Sequence, residues 1–150
     1  MNRVTPEDIK EIAKGDLFVF GSNESGIHGA GAAKFALNYC GARPGMGFGL
    51  SGRSFAIPTK DWMINVLPLS AVQAYVDRFV AWVETMVPKD SEAKIYVTRI
   101  GCGLAGFTPK DIAPMFTGLR NHKNVYLPED FIDVIDSKMI GYDAGRTGKA

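Results

Sequence analysis

Residues 22–36 read SNESGIHGAGAAKFA, with Gly26, Gly29 and Gly31 crowding a lone histidine, His28. Glycine is costly where a helix begins unless the bare backbone has a task there. One such task is anion binding. Gly29 and Gly31 let the chain come close to a ligand, and the helix that follows turns its free N–H groups and positive dipole end toward it. A second stretch, GCGLAGF at 101–107, places Gly101, Gly103 and Gly106 ahead of another helix start at Thr108-Pro109. Either loop alone is more simply a tight turn. Two of them at one edge of a sheet suit a diphosphate. His28 has the intrinsic pKa for acid/base work, and a loop-filling role is the competing reading.

The elements that must hold these loops can be read from the apolar pattern. VTPEDIKEIAKG (4–15) predicts a short helix capped by Thr5, with Pro6 in its first turn and Gly15 at its end. LFVFGS (17–22) predicts a buried strand, and GAGAAKFALNY (29–39) a helix. GARPGMGFGLSG (41–52), with five glycines in twelve residues, predicts a long irregular loop. SFAIPT (54–59) predicts a second strand, with Pro58 at its end or on an edge. Val72, Val76, Phe79, Val80, Val83 and Val87 define a helix over 69–87. AKIYVTRI (93–100) predicts a third strand. TPKDIAPMFTGL (108–119) predicts a helix that Pro114 kinks or shortens. KNVYLP and PEDFIDVIDSKM predict the last strand and helix, and 141–150 a glycine-rich tail that frays.

This alternation predicts one α/β domain over 1–150, a three-layer α/β/α sandwich with a mostly parallel central sheet. In such sheets ligands lie beyond the carboxyl ends of the strands. SNESGIHGAGAA, PTKD (58–61) and GCGLAGF all fall there.

Composition excludes several classes. A formal net charge of +1 implies no broad field for nucleic acid or membrane. Cys40 and Cys102 form no CxxC or Cys/His cluster, so no metal site is expected. No apolar run approaches the roughly 20 residues of a membrane span, and no apolar leader follows the first methionine. A reducing, cytoplasmic setting is the expectation. GCGLAG is a literal GxGxxG, yet its third glycine precedes the helix and it follows the third strand. It reads as phosphate-binding without a hydride-transfer fold, and no cofactor is expected.

At these residues the chain resembles a macrodomain, the ADP-ribose-binding module, and within it the terminal ADP-ribose protein glycohydrolase branch. The resemblance rests on GAGAA (29–33) opening a helix, on Thr59-Lys60 ending a strand and on RIGCGLAGF (99–107), within 17–120. It implies that ADP-ribose, or an ADP-ribosylated macromolecule, is the partner. The first loop would hold the distal ribose through Ser22, Asn23, Gly29, Ala30 and Gly31, with Thr59 beside it. The second would wrap the diphosphate through Gly101, Cys102, Gly103, Leu104, Ala105, Gly106 and Phe107. Lys60 matches a lysine that attacks the anomeric carbon. That branch carries an aspartate directly after GCGL, where this chain has Ala105. Either another group moves the proton, with His28, Glu24 and Asp61 as candidates, or the site binds without that chemistry. Asp16 of Gly15-Asp16 reads as a turn residue. Cys102 reads as a small residue in a tight turn rather than a nucleophile.

Overall fold

The structure, a computed structural model, describes residues 2–148. Its elements are β1 (Leu17–Asn23), α1 (Gly31–Tyr39), β2 (Gly49–Ser51), β3 (Ser54–Lys60), α2 (Leu69–Met86), β4 (Ile95–Val97), α3 (Pro109–Ile112), a 3-10 helix (Ala113–Leu119), β5 (Val125–Tyr126) and α4 (Glu129–Gly148). The five strands form one sheet in the order β2-β3-β1-β4-β5. β3, β1, β4 and β5 are parallel, and β2 is antiparallel to β3. The fold is therefore α/β with a mostly parallel mixed sheet.

β1 is buried on both faces, which is why LFVF reads as an unbroken apolar run. Alternation sends Leu17 and Val19 to one face, Phe18 and Phe20 to the other. The first pair joins a large core with Val72, Val76, Phe79 and Val83 of α2 and with Phe116 and Phe131. The second pair packs against Ala36, Cys40 and the partly buried Phe35 of α1. Each of the four α2 core side chains is 0% exposed. At ~1.5–3 kcal/mol per buried side chain, this stripe anchors α2 to the sheet.

Three local expectations change. The first helix does not form. Thr5 donates its N–H to Leu127 O at 2.9 Å and its hydroxyl to Val97 O at 2.8 Å, and Val4 bridges Leu127. The segment is thus tied along the sheet rim beside β5, and its threonine is spent on the sheet rather than on a cap. The glycine-rich stretch is not wholly irregular: Leu50 and Ser51 pair with Phe55 and Ser54 across a two-residue Gly52-Arg53 turn. Pro58 lies in an interior strand, but β2 pairs only as far as Ala56, so its missing N–H breaks no ladder on that side. Pro114 shortens its helix as expected, α3 giving way to the 3-10 turn at Ala113. The tail expected at 141–150 falls partly on the end of α4 and partly outside the described residues.

Candidate functional site

β1 and β4 are neighbours whose connections part company. β1 leads through α1 on one face to β3, and β4 leads through α3 and the 3-10 helix on the other face to β5. Where loops leave adjacent parallel strands toward opposite faces, ligands commonly sit at the carboxyl ends. The two glycine loops follow these two strands, one after β1 and one after β4.

The first loop is built by Asn23. Its Oδ1 accepts from Ile27 N and Ser25 Oγ, both at 2.9 Å, and its Nδ2 donates to Ile27 O at 2.8 Å. With three of its four hydrogen-bonding positions engaged, Asn23 shapes the loop. Beyond it the backbone is open. Among the described residues, the amides from Gly29 to Ala33 donate to no protein acceptor. Ala30 caps α1 without a side-chain hydrogen bond, and the first turn of α1 has no acidic residue. Gly29 is not in the left-handed region, and a Cβ there would meet nothing within 4 Å. Neither backbone conformation nor packing asks for glycine at 29, so its lack of a side chain leaves free space outside the protein.

The second loop repeats this in part. Phe107 N and Gly106 N close turns on Gly101 O and Gly103 O, whereas Gly103, Leu104 and Ala105 donate to no protein acceptor among the described residues. Gly103, like Gly29, has open space at its Cβ position. Gly101 is different: it is left-handed at φ +77 and wedged against Ile112 and Phe107, a structural glycine. The α3 helix behind this loop is closed, because Asp111 Oδ2 accepts from Thr108 N at 3.0 Å. Its anion capacity therefore rests on the loop amides alone. Burial drives the Cys102 thiol up to about 11, which removes it as a nucleophile. Leu104 is 81% exposed, and Phe107 packs against the core.

His28 is 5% exposed. Its Nε2 lies 3.2 Å from Arg43 O, its ring meets Phe20 edge-on at 5.3 Å, and its Nδ1 has no partner. It ties the first loop to the glycine-rich segment. That segment is clasped, not a free flap: Gly45 N donates to Gly26 O at 2.9 Å, and Ser22 donates its hydroxyl to Gly47 O. A Cβ on Gly47 would fall 2.3 Å from Asn23 O, so glycine here permits backbone to lie on backbone.

Lys60 is half-buried at the end of β3, and its carbonyl accepts from Glu24 N at 2.9 Å. Thr59 is buried, with its hydroxyl 3.4 Å from Ser22 O. The Glu24 carboxylate accepts a 2.5 Å bond from Tyr75 of α2, which raises the phenol's pKa. Asp61 is used locally, accepting from Met63 N and Asn65 N. Asp16 closes a turn with its N–H on Ala13 O, as expected, and its carboxylate also accepts from Lys94 N just before β4, 78 residues away.

A cleft of about 1080 Å³ opens beside α1. Gly31 and Ala32 line it from the first loop's helix and Thr98 and Arg99 from the end of β4, with Phe35 and Tyr39 along α1. The far wall is the Val4–Lys10 segment and the start of α4. Lys60, His28 and residues 101–107 do not line it. Sequence reasoning missed this wall. Ile9 and Ile12, three apart, fit a helix face as well as the irregular segment in which they pack, so no local signal separates the two.

Among the described residues no group of three or more His, Cys, Asp or Glu side chains gathers to hold a metal, and no helix is long and apolar enough to cross a membrane. No protein-family model, curated protein or solved structure matches the chain.

Proposed function

We propose that the chain binds ADP-ribose, or a derivative of it, across the carboxyl ends of β1 and β4. One observation carries this reading: two runs of unpartnered backbone amides, Gly29 to Ala33 and Gly103 to Ala105, flank the carboxyl ends of adjacent parallel strands. Amides so placed, one set at an uncapped helix N-terminus, suit the oxygens of a diphosphate. The cleft lined by Phe35 and Tyr39 gives room and flat apolar surface for the nucleoside. The distal ribose would then reach toward β3, where Lys60 stands. The macrodomain resemblance points the same way. His28, buried between two loops, serves in this reading to position the first loop rather than to move protons.

The chemistry at the distal end divides two versions. In the first, the neutral Lys60 amine attacks the anomeric carbon as the ADP-ribosyl bond breaks, the modified group leaves with the proton that the amine loses, and water then displaces the lysine to free ADP-ribose, so that the chain is a hydrolase. Glu24, whose N–H donates to Lys60 O and whose carboxylate is held by Tyr75, is tied to that strand end, whereas Asp61 is spent on Met63 N and Asn65 N. In the second, the protein holds ADP-ribose without turnover. Ala105 favours the second, since a methyl group can neither give nor take a proton. Calorimetric titration with ADP-ribose, with AMP and NAD as controls, tests the shared claim. Tighter binding of ADP-ribose than of AMP supports it, and no binding of ADP-ribose rejects it.

A further inference from the structure

We infer that the cleft beside α1 selects a nucleoside end that carries no phosphate of its own, so that a 2′- or 3′-phosphorylated ligand is discriminated against. The inference rests on the placement of the nucleoside proposed above. Two helix N-termini face this cleft, and they are opposite in character. The α1 terminus has no acidic residue in its first turn and no side-chain cap, so it is open to an anion. The α4 terminus carries Glu129 and Asp130 in its first turn, so its positive end is already answered. The carboxylates extend around the wall: Glu7, Asp8 and Asp133 line the cleft along with Glu129 and Asp130.

Only Lys10 and Arg99 oppose them among the lining residues, and each already faces a carboxylate. Arg99 Nε lies 2.8 Å from Asp130 Oδ2, and Lys10 Nζ lies 3.8 Å from Asp8 Oδ2. Glu7, Glu129 and Asp133 have no ion-pair partner among the described residues. The cleft thus grades from bare amides at one end to surplus carboxylates at the other. A ligand with phosphates in its middle and hydroxyls at its nucleoside end matches that gradient, because ribose hydroxyls and an exocyclic amine can donate to carboxylates. A second phosphate on the same ribose would be set among those carboxylates. At separations of about 8 Å, through screened water, three such charges weaken a dianion's binding about tenfold.

The test is competition calorimetry with ADP-ribose and its 2′-phosphate on the full chain, at low and at high salt. The expected result is about tenfold weaker binding of the 2′-phosphate near physiological salt. The gap should widen at low salt, narrow at high salt, and narrow in the double variant Glu129→Gln, Asp133→Asn. Both residues are on the solvent side of α4, and comparing two ligands on one protein removes any effect of folding. Equal or tighter binding of the 2′-phosphate at low salt, with ADP-ribose still bound, overturns this inference alone. Failure of ADP-ribose itself to bind overturns the proposed function, and this inference with it.

Discussion

Gly29→Ala separates a ligand-serving glycine from a fold-serving one. At this position φ lies outside the left-handed region, and a Cβ would meet no protein atom within 4 Å. The folded state should therefore accept the methyl group, while the unfolded chain loses freedom. The expected gain is ~0.4–1 kcal/mol of stability, or roughly 1–4 °C in Tm for a chain of this size. Binding should move the other way. The added carbon stands where an anion would have to come within ~2.9 Å of the neighbouring amides. Weakening one or two hydrogen bonds to a charged acceptor costs about 2 kcal/mol, or roughly thirtyfold in Kd. The assay is a thermal melt and an ADP-ribose titration on the same preparation. A variant more stable than the parent but much weaker in binding is the expected signature. Binding at parental affinity would falsify the idea that the open space at Gly29 belongs to a ligand. A fall in Tm would show that the fold needs this glycine.

Gly47→Ala should behave in the opposite way. Its Cβ would sit 2.3 Å from Asn23 O and 2.8 Å from Glu24 O, so urea melts should show a loss of about 1–3 kcal/mol. If the chain is a hydrolase, Lys60→Ala should abolish release of ADP-ribose from a modified substrate while leaving much of the calorimetric binding; unchanged turnover rejects Lys60 as the nucleophile. Cys102, pushed up to about 11 by burial, should react with iodoacetamide about a hundredfold more slowly than a free cysteine at mildly alkaline pH, as read by peptide mass spectrometry. The Arg120 guanidinium donates to both Asp136 oxygens at 3.0 Å and holds that carboxyl below its usual range. Stability from this pair is complete above the ordinary carboxyl pKa of ~3.9 and fades as pH falls through the depressed folded value. Asp136→Asn should therefore cost up to about 1 kcal/mol near neutrality, because the carboxylate is part-exposed, and nothing in strong acid, as read from urea midpoints.

Most of the architecture is legible in the sequence. LFVF and the Val72–Val83 stripe announce a doubly buried strand and an amphipathic helix, because burial leaves a period that can be read locally. The Thr108-Pro109 start and the Pro114 break were equally local. The hairpin at Gly52-Arg53 is not read from the sequence, because five glycines over 41–52 point to an irregular loop and β2 is only three residues long. The sequence points to a first helix that does not form because Thr5 has two uses. A cap and a sheet-edge hydrogen bond ask for the same hydroxyl, and the acceptor that decided the matter, Val97 O, lies 92 residues away in sequence.

The site divides along the same line. Sequence alone located the two glycine loops, since clustered glycines are visible as letters, but only the backbone separated Gly29 and Gly103 from the left-handed Gly26, Gly31, Gly101 and Gly106. It also placed both loops at one edge of the sheet, because alternating strands and helices leave few other topologies. Tertiary structure decided what each residue there does. It buried His28 and Asn23 as loop supports, clasped the glycine-rich segment onto the first loop and closed α3 with Asp111 while leaving α1 open. It also brought the N-terminal segment and α4 together as an acidic wall across from α1. A local pattern records which face is buried. Which loop leans on which, and where unpaired charge collects, depends on contacts between distant segments that no short window contains.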